Sequence, residues 1–228
     1  ETIDYGPCAF MDTYDPKTVF SSIDQLGRYA YCNQPVITKW NLSRLAESLI
    51  PLIDQDEKKA IKIATEIIDL FEKKYEEKWL NMMRSKLGLF SVDEKDKLLI
   101  LDLLTLMHQK KMDYTNTFCH LMNAESQIDK NYEDKDFKNW KKSWKERLKS
   151  ENNSSEKYIK MMKTVNPLVI PRNNKVEEAL EAAENENLNP INQLLEILSK
   201  PYTFQEDIAD YRLASSKNDE NYQTFCGT

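Results

Sequence analysis

Apolar residues recur three and four positions apart along most of the chain after residue 36. Side chains at this spacing lie on one face of a helix, so the pattern predicts a series of amphipathic helices. The first is expected to open at Pro35 and to stop at Pro51, because proline suits the first turn of a helix and disrupts its interior. A single apolar stripe then runs from Ala60 to Met83 and predicts one long helix that stops at Gly88.

A third helix is marked by Ser91 and Glu94, which have the spacing of a capping box. Its apolar side chains face nearly all directions, so we expect this helix to be central and buried. Shorter helices are expected at about 113–122, 136–149, 155–163, 176–184 and 190–199. The tail from Glu206 has weak patterning and is expected to lie on the surface as coil.

The first 36 residues differ from the rest, since they are irregular and dense in Gly, Pro, aromatic and acidic residues. Asp15 precedes a proline and is therefore expected in an extended or turn conformation. The chain has only 4 Gly, which disfavours a sandwich or barrel with many tight turns. We predict a mostly α fold in one domain, with an irregular segment 1–36, a helical body 37–205 and a tail 206–228.

The composition narrows the classes of function. A net charge of −6 gives no support for nucleic-acid binding, so the basic helix at 136–149 is interpreted as a solvated face whose tryptophans pack inward. No run of about 18 apolar residues is present, so neither a membrane span nor a membrane partner is expected. The 4 cysteines lack CxxC spacing and are interpreted as reduced thiols of a cytoplasmic protein. The chain begins at Glu1 rather than Met, which favours a piece of a longer protein over a processed mature chain.

Few other residues suggest chemistry. His108 and His120 are the only histidines and lack metal-ligand spacing, so both are interpreted as structural. No convincing Ser/His/Asp or Cys/His set is present. Arg28 has two interpretations that the sequence leaves open, an anion-binding side chain or a member of a structural salt bridge.

The motif Asp4-Tyr5-Gly6 follows a short apolar step. Taken alone, such a motif is most often an ordinary turn. The alternative is the metal-binding motif of a kinase-type fold, in which the acid binds Mg²⁺ on the nucleotide phosphates and the glycine gives backbone freedom. One carboxylate is chemically sensible there, because Mg²⁺ keeps several waters and takes further ligands from phosphate oxygens.

Sequence blocks spread over the whole chain favour the metal-binding interpretation. Together they resemble the selenoprotein O family, also called YdiU or UPF0061. The blocks are Asp4–Pro7, Phe10–Asp12, Tyr14–Pro16, Gly27–Tyr31, Asn33–Pro35, Trp40–Ala46, Asp113–Phe118, Asn166–Pro167, Ile170–Asn173, Val176–Leu180 and Tyr222–Thr228.

This resemblance implies a protein-kinase-like fold that binds ATP in a flipped orientation and transfers AMP to Ser, Thr or Tyr hydroxyls of other proteins. The chain would form the helical C-terminal lobe, preceded by an irregular activation segment. Asp4 matches the aspartate that binds Mg²⁺ (or Mn²⁺), and Asp4 and Gly6 would lie at the nucleotide. The family's catalytic base lies upstream of Glu1, so no catalytic residue is assigned and the fragment alone is expected to be inactive. The family's animal members are mitochondrial, and a bacterial-like member is expected in the cytoplasm.

The resemblance also suggests a redox pair. Cys226 matches a terminal cysteine that some members pair with a cysteine of the activation segment, near the position that Phe20 holds here. Cys8 is the alternative partner for Cys226, and two independent thiols are the other possibility. A second departure is Asn174, which stands where the family has a histidine.

Two other functions remain open from the sequence. The chain can be a non-enzymatic helical module for partner binding or redox sensing. It can also belong to a true protein kinase, because nothing in these residues selects the α-phosphate over the γ-phosphate.

Overall fold

The computed structural model describes residues 8–123, 129–205 and 208–214. These residues are mostly helical, which confirms the predicted class, and their only β-pairing is an isolated antiparallel bridge between Thr13 and Asp113. The helices of the described residues are α1 (Gln34–Ile53), α2 (Glu57–Asp69), α3 (Phe71–Lys86), α4 (Asp96–Gln109), α5 (Tyr114–Leu121), α6 (Lys135–Ser150), α7 (Ser155–Val165), α8 (Asn173–Glu184) and α9 (Asn189–Leu198). Single 3-10 turns lie at Tyr31–Asn33, Lys130–Glu133 and Asp210–Arg212.

The chain divides into two compact units. The first unit takes in residues 8–9 and 16–81, and the second takes in residues 10–15 and the described residues from 82 onward. None of the helices in the described ranges is long and apolar enough to cross a membrane.

The first unit is built on α1 and α2, which pack against each other. Asp56 begins α2, because its carboxylate accepts hydrogen bonds from the backbone N–H groups of Lys58 and Lys59. An open groove of about 1050 Å³ lies between α1 and α2. Apolar side chains along these helices remain exposed, among them Leu45, Leu49, Leu52, Ile61 and Ile67.

Two helix limits in the first unit differ from the prediction. Pro51 lies inside α1, which continues to Ile53, so the proline costs one backbone hydrogen bond near the helix end without stopping the helix. The single long helix predicted from Ala60 to Met83 is wrong, because α2 and α3 are separated at Leu70. No glycine or proline marks this break, and the apolar stripe continues through it.

The second unit has a well-buried core. Ile100, Leu103 and Met107 of α4 are each 0% exposed, and Phe118 of α5 is 1% exposed. Phe137, Trp140 and Trp144 of α6 are also buried. The inward packing predicted for the tryptophans is therefore confirmed.

The start and surroundings of α4 differ from the prediction. Lys95 stands at the N-cap position without a side-chain cap, so the predicted capping box is wrong. The Ser91 hydroxyl instead donates to the Glu151 carboxylate at 2.8 Å. Leu98 and Leu101 are 63% and 42% exposed, so α4 buries one face and not its whole circumference.

The later helices lie within a few residues of their predicted ranges, and the described part of the tail differs. Residues 208–214 do not lie only on the surface, because Ile208 is 2% exposed and Arg212 is 6% exposed. Weak periodicity did not reveal this burial, since two isolated side chains carry it.

Candidate functional site

Residues 10–15 follow the predicted metal motif and form the described part of the candidate site. Asp4 and Gly6 of that motif, and Cys226 of the tail, lie outside the described residues. Cys8 is described and is partly buried. Its pairing with Cys226 stays a prediction.

Backbone hydrogen bonds hold this segment against the N-terminal end of α5. The Tyr14 N–H donates to the Met112 carbonyl at 2.9 Å, and the Tyr114 N–H donates to the Asp12 carbonyl at 2.9 Å. These two bonds flank the bridge between Thr13 and Asp113. The segment is thus paired like a very short strand, although its neighbour begins a helix.

Asn173 holds the beginning of the same segment. Its side-chain oxygen accepts from the Phe10 N–H at 2.8 Å, and its side-chain nitrogen donates to the Phe10 carbonyl at 2.9 Å. A side-chain amide can satisfy both backbone groups of one residue because it carries a donor and an acceptor side by side. The first residue of α8 is therefore fixed to a residue 163 positions away.

Arg172 forms the centre of the site. Its side chain is 0% exposed, and its Nη1 donates to the Asp12 carboxylate and, at 2.7 Å, to Asp113 Oδ2. Its Nη2 donates to the Arg212 carbonyl at 2.9 Å. Burial alone would lower the pKa of the Arg172 guanidinium, but Asp113 and Asp12 outweigh it and raise the pKa, so the side chain stays charged.

Asp113 has two roles in this arrangement. Its carboxylate accepts a hydrogen bond from the Asn116 N–H at 2.7 Å and so caps α5, which lies where the sequence predicted a short helix. The same carboxylate pairs with Arg172. The Asn116 side chain donates to the Arg212 carbonyl at 3.0 Å, which ties the described tail residues to the same cluster.

The local sequence explains how Arg172 reaches this position. Ile170 precedes Pro171, which favours extended backbone, and Arg172 itself is extended with φ −77° and ψ 135° before α8 begins at Asn173. Asp12, Asp113, Arg172 and Asn173 all lie in blocks that carry the family resemblance. The sequence alone gave none of them a role, because Asp12 and Arg172 stand 160 positions apart.

A second buried arginine cluster lies elsewhere in the second unit. Arg84 and Arg147 each donate to the Asp96 carboxylate at 2.8 Å, and Arg147 also donates to Glu151 at 2.6 Å. Arg84, Asp96 and Arg147 lie on α3, α4 and α6, and Glu151 directly follows α6. The sequence pattern does not predict this cluster, because charged residues at such positions of amphipathic helices are usually exposed to solvent.

The two histidines lie apart. His120 stacks on Tyr132 with ring centroids 3.9 Å apart, and burial together with the neighbouring Lys141 lowers its pKa to about 4. His108 lies 3.7 Å from the Asp15 carboxylate. Within the described ranges, no group of three or more His, Cys, Asp or Glu side chains could hold a metal ion.

Two basic side chains take positions that the sequence did not indicate. Lys86 is 8% exposed, lies with its ammonium 4.4 Å from the Phe118 ring centre, and has its pKa lowered to about 8 by burial. Arg28 lies over the Trp40 ring, with its guanidinium carbon 4.8 Å from the ring centre. Arg28 is thus seen in a cation–π contact, which neither of its two sequence interpretations included.

Comparison with known proteins identifies the family to which this chain is related. A family model described as protein adenylyltransferase SelO matches residues 1–199. The chain is 57% identical over 228 residues to the protein nucleotidyltransferase YdiU of Pelagibacter ubique strain HTCC1062, covering 100% of this chain and 47% of that protein. It is 50% identical over 229 residues to the protein of the same name from Bacillus cereus strain G9842, again covering 100% of this chain and 47% of the relative.

The chain belongs to the SelO/YdiU family, which confirms the resemblance seen in the sequence blocks. It spans about half the length of the curated relatives it matches.

Proposed function

We propose that this chain is part of a protein adenylyltransferase that transfers AMP from ATP to Ser, Thr or Tyr hydroxyls of other proteins in the cytoplasm. The observation that carries the proposal is the family match, which begins at residue 1 and therefore includes the Asp4 motif. Residues 10–14 follow that motif and are held by hydrogen bonds and an ion pair to Asn173 and Arg172. This supports a defined conformation of residues 10–14 in the proposed enzyme.

The proposed metal ligand is Asp4, with Gly6 beside the nucleotide. A single carboxylate fits Mg²⁺ or Mn²⁺ that takes its remaining ligands from waters and ATP phosphates. Such an ion neutralises charge that develops on the phosphates during transfer. In this proposal Asp4 fixes where that charge is neutralised, and the base that helps the substrate hydroxyl lies in the part of the family protein that this chain does not span.

The proposed architecture follows from the same resemblance. We assign residues 37–205 to the C-terminal lobe of a kinase-like fold, residues 1–36 to the activation segment and residues 206–228 to a tail. The isolated chain is then inactive, because the ATP-anchoring groups and the base are not in it. Transfer of AMP by the purified chain alone would contradict this assignment.

The test uses a full-length family protein that contains this chain. The unsubstituted protein should label protein targets from α-labelled ATP and not from γ-labelled ATP. Asp4→Ala should abolish the labelling, since removal of a metal ligand removes positioning and charge neutralisation together. Asp102→Asn, at an exposed carboxylate of α4, is the control and should leave labelling unchanged.

The outcomes separate the candidate functions. Label from the γ-phosphate would identify a protein kinase. Labelling that survives Asp4→Ala would remove Asp4 as the metal ligand. Absence of any nucleotide transfer would favour the non-enzymatic helical module.

We propose in addition that Cys8 and Cys226 form a disulfide when an oxidant such as diamide accepts the two electrons and two protons of the thiols. Cys8 is partly exposed, so its sulfur is accessible to a second thiol. Non-reducing mass spectrometry after diamide treatment tests the pairing, with Cys32→Ser at an exposed cysteine as the control. Cys8 and Cys226 that stay separate under oxidant would reject it.

A further inference from the structure

We propose that Arg172 is a positioning residue for nucleotide transfer, because it holds the segment that follows the metal motif. The inference rests on the proposed function above. Arg172 touches neither nucleotide nor metal in this proposal, and it acts through Asp12.

The first support is the regular spacing of the bonds along the segment. Asn173 bonds both backbone groups of Phe10, Arg172 bonds the Asp12 carboxylate, and Tyr14 donates its backbone N–H to Met112. These three segment residues stand two positions apart, and two of them bond to residues at the start of α8, whereas Tyr14 bonds to the residue before Asp113. A segment bonded at every second residue has little freedom to change its path.

The second support is the burial of the charges. Arg172 is 0% exposed and Asp12 is 3% exposed. Loss of one partner from a buried pair leaves an uncompensated charge, which strongly disfavours any conformation in which Asp12 leaves Arg172. The pair therefore selects one path for residues 10–14 with a preference that an exposed ion pair cannot supply.

The third support is the short distance along the chain to the proposed ligand. Asp4 stands eight positions before Asp12. The anchored segment begins at Phe10, six positions after Asp4. Transfer reactions are sensitive to misplaced groups, since a displacement of about 1 Å can cost roughly 100-fold in rate. The anchor thus adds to the precision of the metal motif without being part of it.

Arg147 provides a matched control within the same unit. Its guanidinium also bridges two carboxylates, those of Asp96 and Glu151, and its side chain is only 11% exposed. Its hydrogen bonds and ion pairs involve no residue of the segment 10–15. A purely structural role for buried arginines predicts the same consequences for both.

The experiment compares Arg172→Lys with Arg147→Lys in the full-length protein. Lysine keeps the charge but cannot reproduce the fork of a guanidinium. We expect Arg172→Lys to lower kcat by about 10-fold to 100-fold per folded molecule and to raise the Mg²⁺ concentration for half-maximal transfer. Arg147→Lys should leave both quantities within about twofold, even where it lowers the melting temperature as much.

Asn173→Ala is the second variant and keeps the test decisive if Arg172→Lys does not fold. It removes the two bonds to Phe10 without leaving a buried charge, so we expect a smaller change in the same two quantities. Amide hydrogen exchange at Phe10 and Tyr14 should accelerate in both variants and not in Arg147→Lys.

The results distinguish the two proposals. If the unsubstituted protein transfers no AMP, the proposed function fails and this inference fails with it. If that protein is active, and Arg172→Lys and Asn173→Ala match Arg147→Lys in kcat and Mg²⁺ dependence, only the positioning role of Arg172 is overturned.

Discussion

The two units of the chain bury very different side chains. In the described part of the first unit, the buried apolar residues are Ala30, Ile37, Ala60 and Ala64, three of them alanines. The second unit buries large side chains such as Phe118 and the aromatic residues of α6. Hydrophobic stabilisation grows with the apolar area removed from water. Among the described residues, the second unit therefore contributes most of the free energy that comes from burying apolar side chains.

The difference extends to charges. Every buried charged side chain among the described residues belongs to the second unit, including Arg172, Asp12 and Asp96. Charges can be held in one geometry only where packing excludes water and supplies partners. The candidate positioning residues therefore lie in the unit that buries large side chains, whereas α1 and α2 pack together over mainly small buried side chains.

A pair of tryptophans gives the largest expected contrast. Trp144 is 2% exposed and its indole N–H donates to the Leu87 carbonyl, so Trp144→Ala should cost about 3–5 kcal/mol of unfolding free energy. Trp40 is 45% exposed and contacts Arg28, so Trp40→Ala should cost less than about 1 kcal/mol. Urea denaturation followed by circular dichroism measures both. Equal losses would break the contrast between the units.

A pair of leucines tests the same contrast without hydrogen bonds. Leu103 is 0% exposed, and Leu103→Ala should cost about 2–5 kcal/mol through lost burial and a residual cavity. Leu52 is 81% exposed, and Leu52→Ala should stay within about 0.5 kcal/mol of the unsubstituted chain. Thermal unfolding of the two variants side by side provides the measurement. A large loss for Leu52→Ala would show that α1 is packed more tightly than its exposure indicates.

Two carboxylates extend the contrast to ion pairs. Asp96 is 0% exposed and accepts from Arg84 and Arg147, so Asp96→Asn should cost about 1–3 kcal/mol at pH 7. Glu72 pairs with Lys39 on the surface at 2.8 Å, and Glu72→Gln should have no measurable effect. The urea denaturation midpoints of the two variants measure the difference. An equal shift of both midpoints would contradict the claim that burial makes the Asp96 ion pairs more important for stability than the exposed Glu72 pair.

The same Asp96 variant should alter acid stability. Burial alone would raise the pKa of Asp96, but Arg147, the Asp93 N–H and Arg84 together lower it. A carboxyl group with a lowered pKa contributes stability above its unfolded value of about 3.9 and loses that contribution as the pH falls below it. The stability of Asp96→Asn should therefore decline less than that of the unsubstituted chain below about pH 4.

His120 gives the smallest expected effect. Burial and Lys141 lower its pKa to about 4, below the value of about 6.5 in an unfolded chain. The unfolded chain therefore binds a proton first, and the stability from neutral His120 is lost as the pH falls from about 6.5 to about 4. Unfolding at several pH values should show a shallower decline across this window for His120→Gln, and an identical slope would exclude His120 as a contributor. Both histidines lie in the second unit, so the first unit supplies no histidine to this window.

Periodicity predicted the helices well where the apolar stripe and a cap coincide. The helix α5 lies at the expected position, and the tryptophans of α6 pack inward as expected. The break at Leu70 was missed because the apolar spacing continues through it. The capping role of Ser91 was wrong because its hydroxyl donates to Glu151, which directly follows α6 and stands 60 positions away in the chain.

The helical class and the family could be predicted from the sequence, because helix periodicity is local and the relatives match along the whole chain. The meeting of Asp12, Asp113 and Arg172 became visible only in the folded chain. These residues come from the start, middle and later part of the chain, and no local pattern encodes a contact across 160 positions. Their pairing results from packing, because Asp12 and Arg172 are charges that the second unit removes from water and must therefore supply with partners.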